Sequence, residues 1–183
     1  MAKEQSPGGF SDEFTNEATD DLAAVLVAEF SIWFQNLGTK GILPRAFTGV
    51  TKGDKQVVTV LTSLPLDHIQ RKQFLVWLCR NEGFVAYAYG THVEIAQESW
   101  TVTEGFDIFA SSNRYDVGKT LRIERREGTI QFFVQHHAVR PAKQENELFY
   151  GLQQSNEVFA SDNEALFREL WADLKSKSMW RQR

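Results

Sequence analysis

A chain of 183 residues, 42% hydrophobic and 24% charged, has the make-up of one globular domain with an ordinary core. Its formal net charge of −4 gives no overall attraction to nucleic acid or to an anionic membrane, and it is too mild for a DNA mimic. Fourteen Phe and five Trp can build a dense aromatic core, and any ring left outside it favours protein contacts.

Residues 1–18 are polar, with Ser6, Pro7, Gly8 and Gly9 clustered, and read as a flexible tail in which Phe10 and Phe14 can dock. No basic segment precedes an apolar one there, so no signal peptide is expected. No run of about 18 uninterrupted apolar residues occurs, so no membrane span is expected either. Together with a single cysteine, these features point to the cytoplasm.

The body is expected to be a single α+β domain over 19–177. A first helix is predicted from Asp20 to Leu37, capped by Thr19 and stopped by Gly38. Leu22, Val25, Leu26, Phe30, Trp33 and Leu37 recur in it at helical spacing. "TKGILPRAF" reads as a turn leading into an extended segment. "TKGD" at 51–54 is a turn, and "QVVTVLTS" at 56–63 a strand rich in β-branched residues.

Pro65 and Asp67 open a second helix running to about Asn81, with Ile69, Phe74, Trp77 and Leu78 as its buried stripe and Gly83 as its stop. Cys79 falls near that stripe and reads as a small buried thiol, because no His or acid lies near it in sequence.

"FVAYAYGTHVEIA" at 84–96 is a long strand. Val85, Tyr87 and Tyr89 face one way, with Phe84, Ala86 and Ala88 opposite, and Gly90 marks a candidate bulge. Beyond it His92 and Glu94 share a face. Three further strands are predicted at 106–111, 120–126 and 129–139. "NRYDVG" at 113–118 reads as a hairpin loop, and Glu127-Gly128 as a two-residue turn. Pro141 ends the last strand, and 142–160 is a long polar connection. Ser161 and Glu164 form a capping box for a last helix to about Lys177, lined by Leu166, Phe167, Leu170, Trp171 and Leu174. Residues 178–183 form a basic tail with an exposed Trp180. The predicted architecture is therefore a mainly antiparallel sheet of about five strands, with a β-meander over 84–139, packed with three helices.

The histidine pair in "IQFFVQHHAV" poses the sharpest functional question. Strand neighbours point to opposite faces, so His136 and His137 cannot hold one ion together. Alternation puts His136 with Ile130, Phe132 and Val134, and His137 with Gln131, Phe133 and Gln135. Arg122, Glu124 and Arg126 share the polar face of the adjacent strand. Pairing as a meander would bring His137, His92 and Glu94 onto that face too. His92, Glu94, Arg122, Glu124, Arg126 and His137 are thus the candidate ligand- or partner-binding group, able to hold an anion or support acid–base work. Such a group is also what any solvated sheet face with alternating charges looks like.

Recognisable catalytic and cofactor motifs are absent. There is no Walker-type phosphate loop, GxGxxG, HExxH, paired CxxC or GxSxG. His92 and Glu94 have the HxE spacing of a zinc deaminase, but one cysteine cannot supply that site. No catalytic residue, metal or cofactor is therefore assigned.

The segment from "LCRNEGFVAYAYGTHVEI" through "FDIFASSNRYDVGKTLRIERREGTIQFF" resembles a diffuse family of uncharacterised bacterial and phage proteins. In these a helix leads through an acidic-Gly turn into a strand, and a charged hairpin carries an I-x-R-x-x-G signature, here Ile123, Arg125 and Gly128. The resemblance covers about a third of the chain. It implies an α+β fold and no activity. The expectation is a small interaction protein, phage- or mobile-element-encoded, that acts by contact with a host protein. Nucleic acid and membrane are not expected partners, and an open sheet edge would permit a homodimer. The alternative is a small-ligand binder or enzyme using the six residues above.

Overall fold

The computed structural model describes residues 20–96, 102–142 and 163–183. In chain order the elements are α1 (Leu22–Thr39), β1 (Ala46–Thr51), β2 (Lys55–Val60), α2 (His68–Glu82), β3 (Phe84–Ala96), β4 (Val102–Ser112), β5 (Tyr115–Arg126), β6 (Thr129–Pro141), α3 (Glu164–Lys177) and β7 (Met179–Gln182). The strands form one sheet in the order β6-β5-β4-β3-β1-β2-β7, with every neighbouring pair antiparallel. The fold is α+β, with seven strands rather than about five. The two extra strands are β1, read from sequence only as an extended segment, and β7, read as a tail.

Local chemistry explains most of the helix ends. Asp21 caps α1 by accepting a 2.9 Å hydrogen bond from Ala23 N. The predicted cap, Thr19, lies outside the described residues. Gly38 does not stop the helix, which continues to Thr39. Asp67 and Gln70 form a reciprocal capping box on α2, and Gly83 closes that helix in the left-handed conformation. Ser161 lies outside the described residues, and Asn163 takes the N-cap position of α3 without a side-chain capping hydrogen bond.

The Glu127-Gly128 turn has positive φ at both positions, 47° and 79°, the backbone that joins two right-twisted strands. The loop expected over 113–118 shrinks to Asn113 and Arg114. Tyr115 and Val117 alternate into the core and carry the strand past them.

Two cores form on opposite faces of the sheet. On one face α1 lies across β3, β4 and β5, burying Leu26, Val27, Phe30 and Phe34 against Ala86, Ala88, Phe106, Ile108 and Leu121. By length and mean hydropathy alone (1.2 over 18 residues) α1 would also pass as a membrane span, but its apolar stripe is buried against the sheet. On the other face α2 and α3 cover the β3-β1-β2 half, with Phe74, Leu78, Phe167 and Trp171 packed on Phe47 and Val57. Ile69, expected in the α2 stripe, is 67% exposed. The stripe turns instead through Phe74, Leu78 and Cys79.

Two details of β3 differ from strict alternation. The register passes from Val50↔Ala86 to Thr51↔Phe84, which leaves Val85 as an extra residue. Phe84 is thereby turned to the α2 side, 5.7 Å from the Phe47 ring, while Ala86 and Ala88 keep to the α1 side. Gly90, the expected bulge, pairs in register on both sides. It is a point of close approach, because a Cβ there would lie 2.2 Å from the Phe34 ring.

β7 forms through tertiary partners. Arg181 and Arg183 both reach Glu29 Oε2 on α1 (2.9 and 3.2 Å) and Gln56 Oε1 on β2 (2.8 and 2.9 Å). Trp180 rests 6.4 Å from Trp171, with Lys175 over both rings.

Candidate functional site

The six residues singled out from sequence do not share a face. Arg122, Glu124 and Arg126 lie on the face turned away from α1, where Glu124 receives Arg122 at 2.8 Å and Arg126 at 3.0 Å. Arg122 also lies over the Phe133 ring, 5.3 Å from its centroid. His92 pairs with Phe106, whose ring belongs to the α1 core, so His92 and Glu94 lie on the α1 side.

His137 was assigned to the face of Arg122 by alternation, and a bulge moves it. The register passes from Leu121↔Val134 to Thr120↔His136, leaving Gln135 unpaired. Beyond it His137 stands opposite Lys119 on the α1 side, and His136 takes the face of Arg122.

The α1 side carries a small polar group at its end. Arg125 Nε donates to Glu104 Oε2 at 2.9 Å, and His92 Nε2 lies 3.9 Å from Glu104 Oε1. That separation is too long for a hydrogen bond, and His92 Nε2 is buried with no bonding partner among the described residues. Glu94 pairs with Glu104 across the ladder, a like-charge juxtaposition that costs a few tenths of a kcal/mol. Glu104 and Arg125 were not among the six candidate site residues. Their inclusion depends on the β3–β4 and β4–β5 registers, which nothing local specifies. The pairs on both faces are partly exposed and worth about 0.2–1 kcal/mol each.

Partial desolvation, then the charges of Lys119 and His136, hold the His137 imidazole below its usual range. Since the folded value is the lower one, the unfolded chain takes up the proton first, and this contribution to stability is lost as pH falls through about 6.5. An NMR titration of the folded chain should place the His137 midpoint below about 6.5, and Lys119→Gln should move it part of the way back. A midpoint at or above that value would show that the ring is not held as described.

A cleft of about 340 Å³ lies elsewhere, between α2 and the sheet. Leu75, Val76 and Cys79 line it from the helix, and Tyr87, Tyr89 and Phe109 from the strands. Arg71 and Lys72 line it from the first turns of α2. Burial pushes the Cys79 thiol up, so it stays protonated, and burial likewise raises the Tyr87 phenol, with Cys79 and Asp116 adding to the shift. Cys79 is thus a wall of the cleft rather than a nucleophile.

Sequence reasoning missed this cleft. A usable signal was present in the apolar residues on two adjoining faces of α2, Phe74 and Leu78 on one and Leu75, Val76 and Cys79 on the next.

Next to the cleft, no helix among the described residues covers the sheet face over β4, β5 and β6. Phe109 is 40% exposed and Phe133 41% exposed on it. Phe109 pairs with Gly118, which pairs with Ala138, while Phe133 stands opposite Arg122 four residues along β5; a Cβ on Gly118 would meet nothing within 4 Å. Among the described residues no group of three or more His, Cys, Asp or Glu side chains is placed to hold a metal ion. No protein-family model, curated protein or solved structure matches the chain.

Proposed function

We propose that this chain is a protein-binding module that works by contact rather than catalysis, and that its partner docks on the helix-free sheet face of β4, β5 and β6. The observation that carries the reading is a pair of exposed rings on one face, Phe109 beside the shallow Gly118–Ala138 floor and Phe133 opposite Arg122 further along the same strands. Aromatic and Arg side chains are the usual anchors of protein interfaces. Charge on this face is balanced among the described residues, with Arg122, Arg126 and Arg140 against Glu124, Asp116 and Asp107. The partner is therefore a protein presenting apolar side chains within a rim of mixed charge.

A photo-crosslinking amino acid at Gly118, compared with one at Ile32 on the exposed side of α1, tests the reading in lysate of the native host. One cross-linked protein from position 118, absent from position 32, is expected. The isolated complex should then weaken about 10- to 100-fold with Phe133→Ser. Equal capture from both positions, or unchanged affinity in a folded Phe133→Ser variant, would overturn it.

A further inference from the structure

The cleft between α2 and the sheet has a polarity of its own. Its body is Leu75, Val76, Tyr89 and Phe109, with no carboxylate among the described residues that line it. Its charged groups are Arg71 and Lys72, adjacent in sequence and so gathered at one end. The Arg71 guanidinium is partly committed, since one terminal nitrogen donates to Leu66 O at 3.0 Å. Its Nε is buried and lacks a hydrogen-bond partner among the described residues. A buried guanidinium N–H without an acceptor is costly, and an anionic oxygen is the acceptor it fits best. An apolar trough ending in two cations matches a molecule built the same way, an apolar tail ending in one negative charge.

We infer that this cleft is a binding site for a small amphiphilic carboxylate, a medium-chain fatty acid or aryl-alkyl acid, with the carboxylate on Arg71 and Lys72 and the tail between Leu75 and Phe109. A tail laid there exchanges water for aliphatic and aromatic walls, the larger share of the affinity. The cations set the orientation and discriminate against neutral or cationic analogues of equal length. The site borders the docking face proposed above and shares Phe109 with it. Phe133 belongs to that face and does not line the cleft.

The test titrates the full chain by calorimetry with decanoate, decanol and decyltrimethylammonium, all below their aggregation concentrations. Decanoate should bind saturably with a Kd on the order of 0.1 mM, at least tenfold tighter than the other two. Arg71→Gln with Lys72→Gln should remove that preference, and Leu75→Trp should block binding by filling the trough. Phe133→Ser should leave decanoate binding unchanged, which separates this site from the docking face. Circular dichroism and urea unfolding confirm that each variant is folded, and Lys72→Gln alone, at an exposed position, provides the charge test should Arg71 prove structurally essential. Equal binding of all three probes, no saturable binding, or full binding by a folded Leu75→Trp variant would overturn the inference.

Discussion

Phe34→Ala should lower the unfolding free energy by about 3–5 kcal/mol, among the most destabilising single substitutions in the chain. Phe34 is fully buried, 5.2 Å from the Phe30 and Trp33 rings and 4.5 Å from Phe106, and it is the residue through which α1 meets the middle of the sheet. The ring fits because residue 90 lacks a Cβ. Gly90→Ala should therefore cost about 1–3 kcal/mol by forcing the ring and the helix outward. The two changes should not add. With the ring removed, the alanine methyl enters the space left behind, and Gly90→Ala becomes neutral or stabilising in the Phe34→Ala background. Urea unfolding of the four proteins measures the coupling, expected above about 1 kcal/mol. Additivity within about 0.5 kcal/mol would contradict the packing.

Asp21→Ala should cost about 2–4 kcal/mol, more than a surface cap is worth. Asp21 is only 7% exposed and serves two elements. It accepts from Ala23 N at the start of α1 and from Ser112 Oγ at 2.7 Å, at the end of β4. Ser112 Oγ in turn accepts from Arg114 N and Tyr115 N, both at 3.1 Å, and so shapes the β4–β5 turn. Removing the carboxylate strips the cap and leaves the buried hydroxyl only the longer bond to Tyr115 O, at 3.4 Å. Asp21→Asn keeps an acceptor oxygen and should cost under about 1 kcal/mol. Hydrogen exchange gives a second reading, with the Arg114 and Tyr115 amides exchanging faster in Asp21→Ala. A loss below about 0.5 kcal/mol, with the turn amides unchanged, would show that the link is incidental.

Local signals account for what was legible in advance. The span of β3, the Glu127-Gly128 hairpin, the opening of α2 at Asp67 and the stretch read as α3 are written in residues within a few positions of one another. Each is specified by backbone sterics, a hydrogen bond across one turn, or a period of 2 or 3.6. The α+β class follows from them directly.

The candidate site was not legible, and the reason is specific. Assigning His137 to the face of Arg122 required that β6 contain no extra residue before it. The unpaired Gln135 reverses every side chain beyond that point. Likewise β7 is a polar four-residue segment with no strand signal of its own. It becomes a strand because β2 offers an open edge and because Glu29 and Gln56, distant in sequence, accept from Arg181 and Arg183.

The α2 cleft and the helix-free half of the sheet depend on where the helices come to rest, which is decided by Phe74, Phe84 and Phe167 packing together. Secondary structure is a sum of short-range preferences, so the chain states it residue by residue. Which faces are covered, and which side chains stand together, is a property of register and packing. There one inserted residue or one missing Cβ outweighs the local pattern.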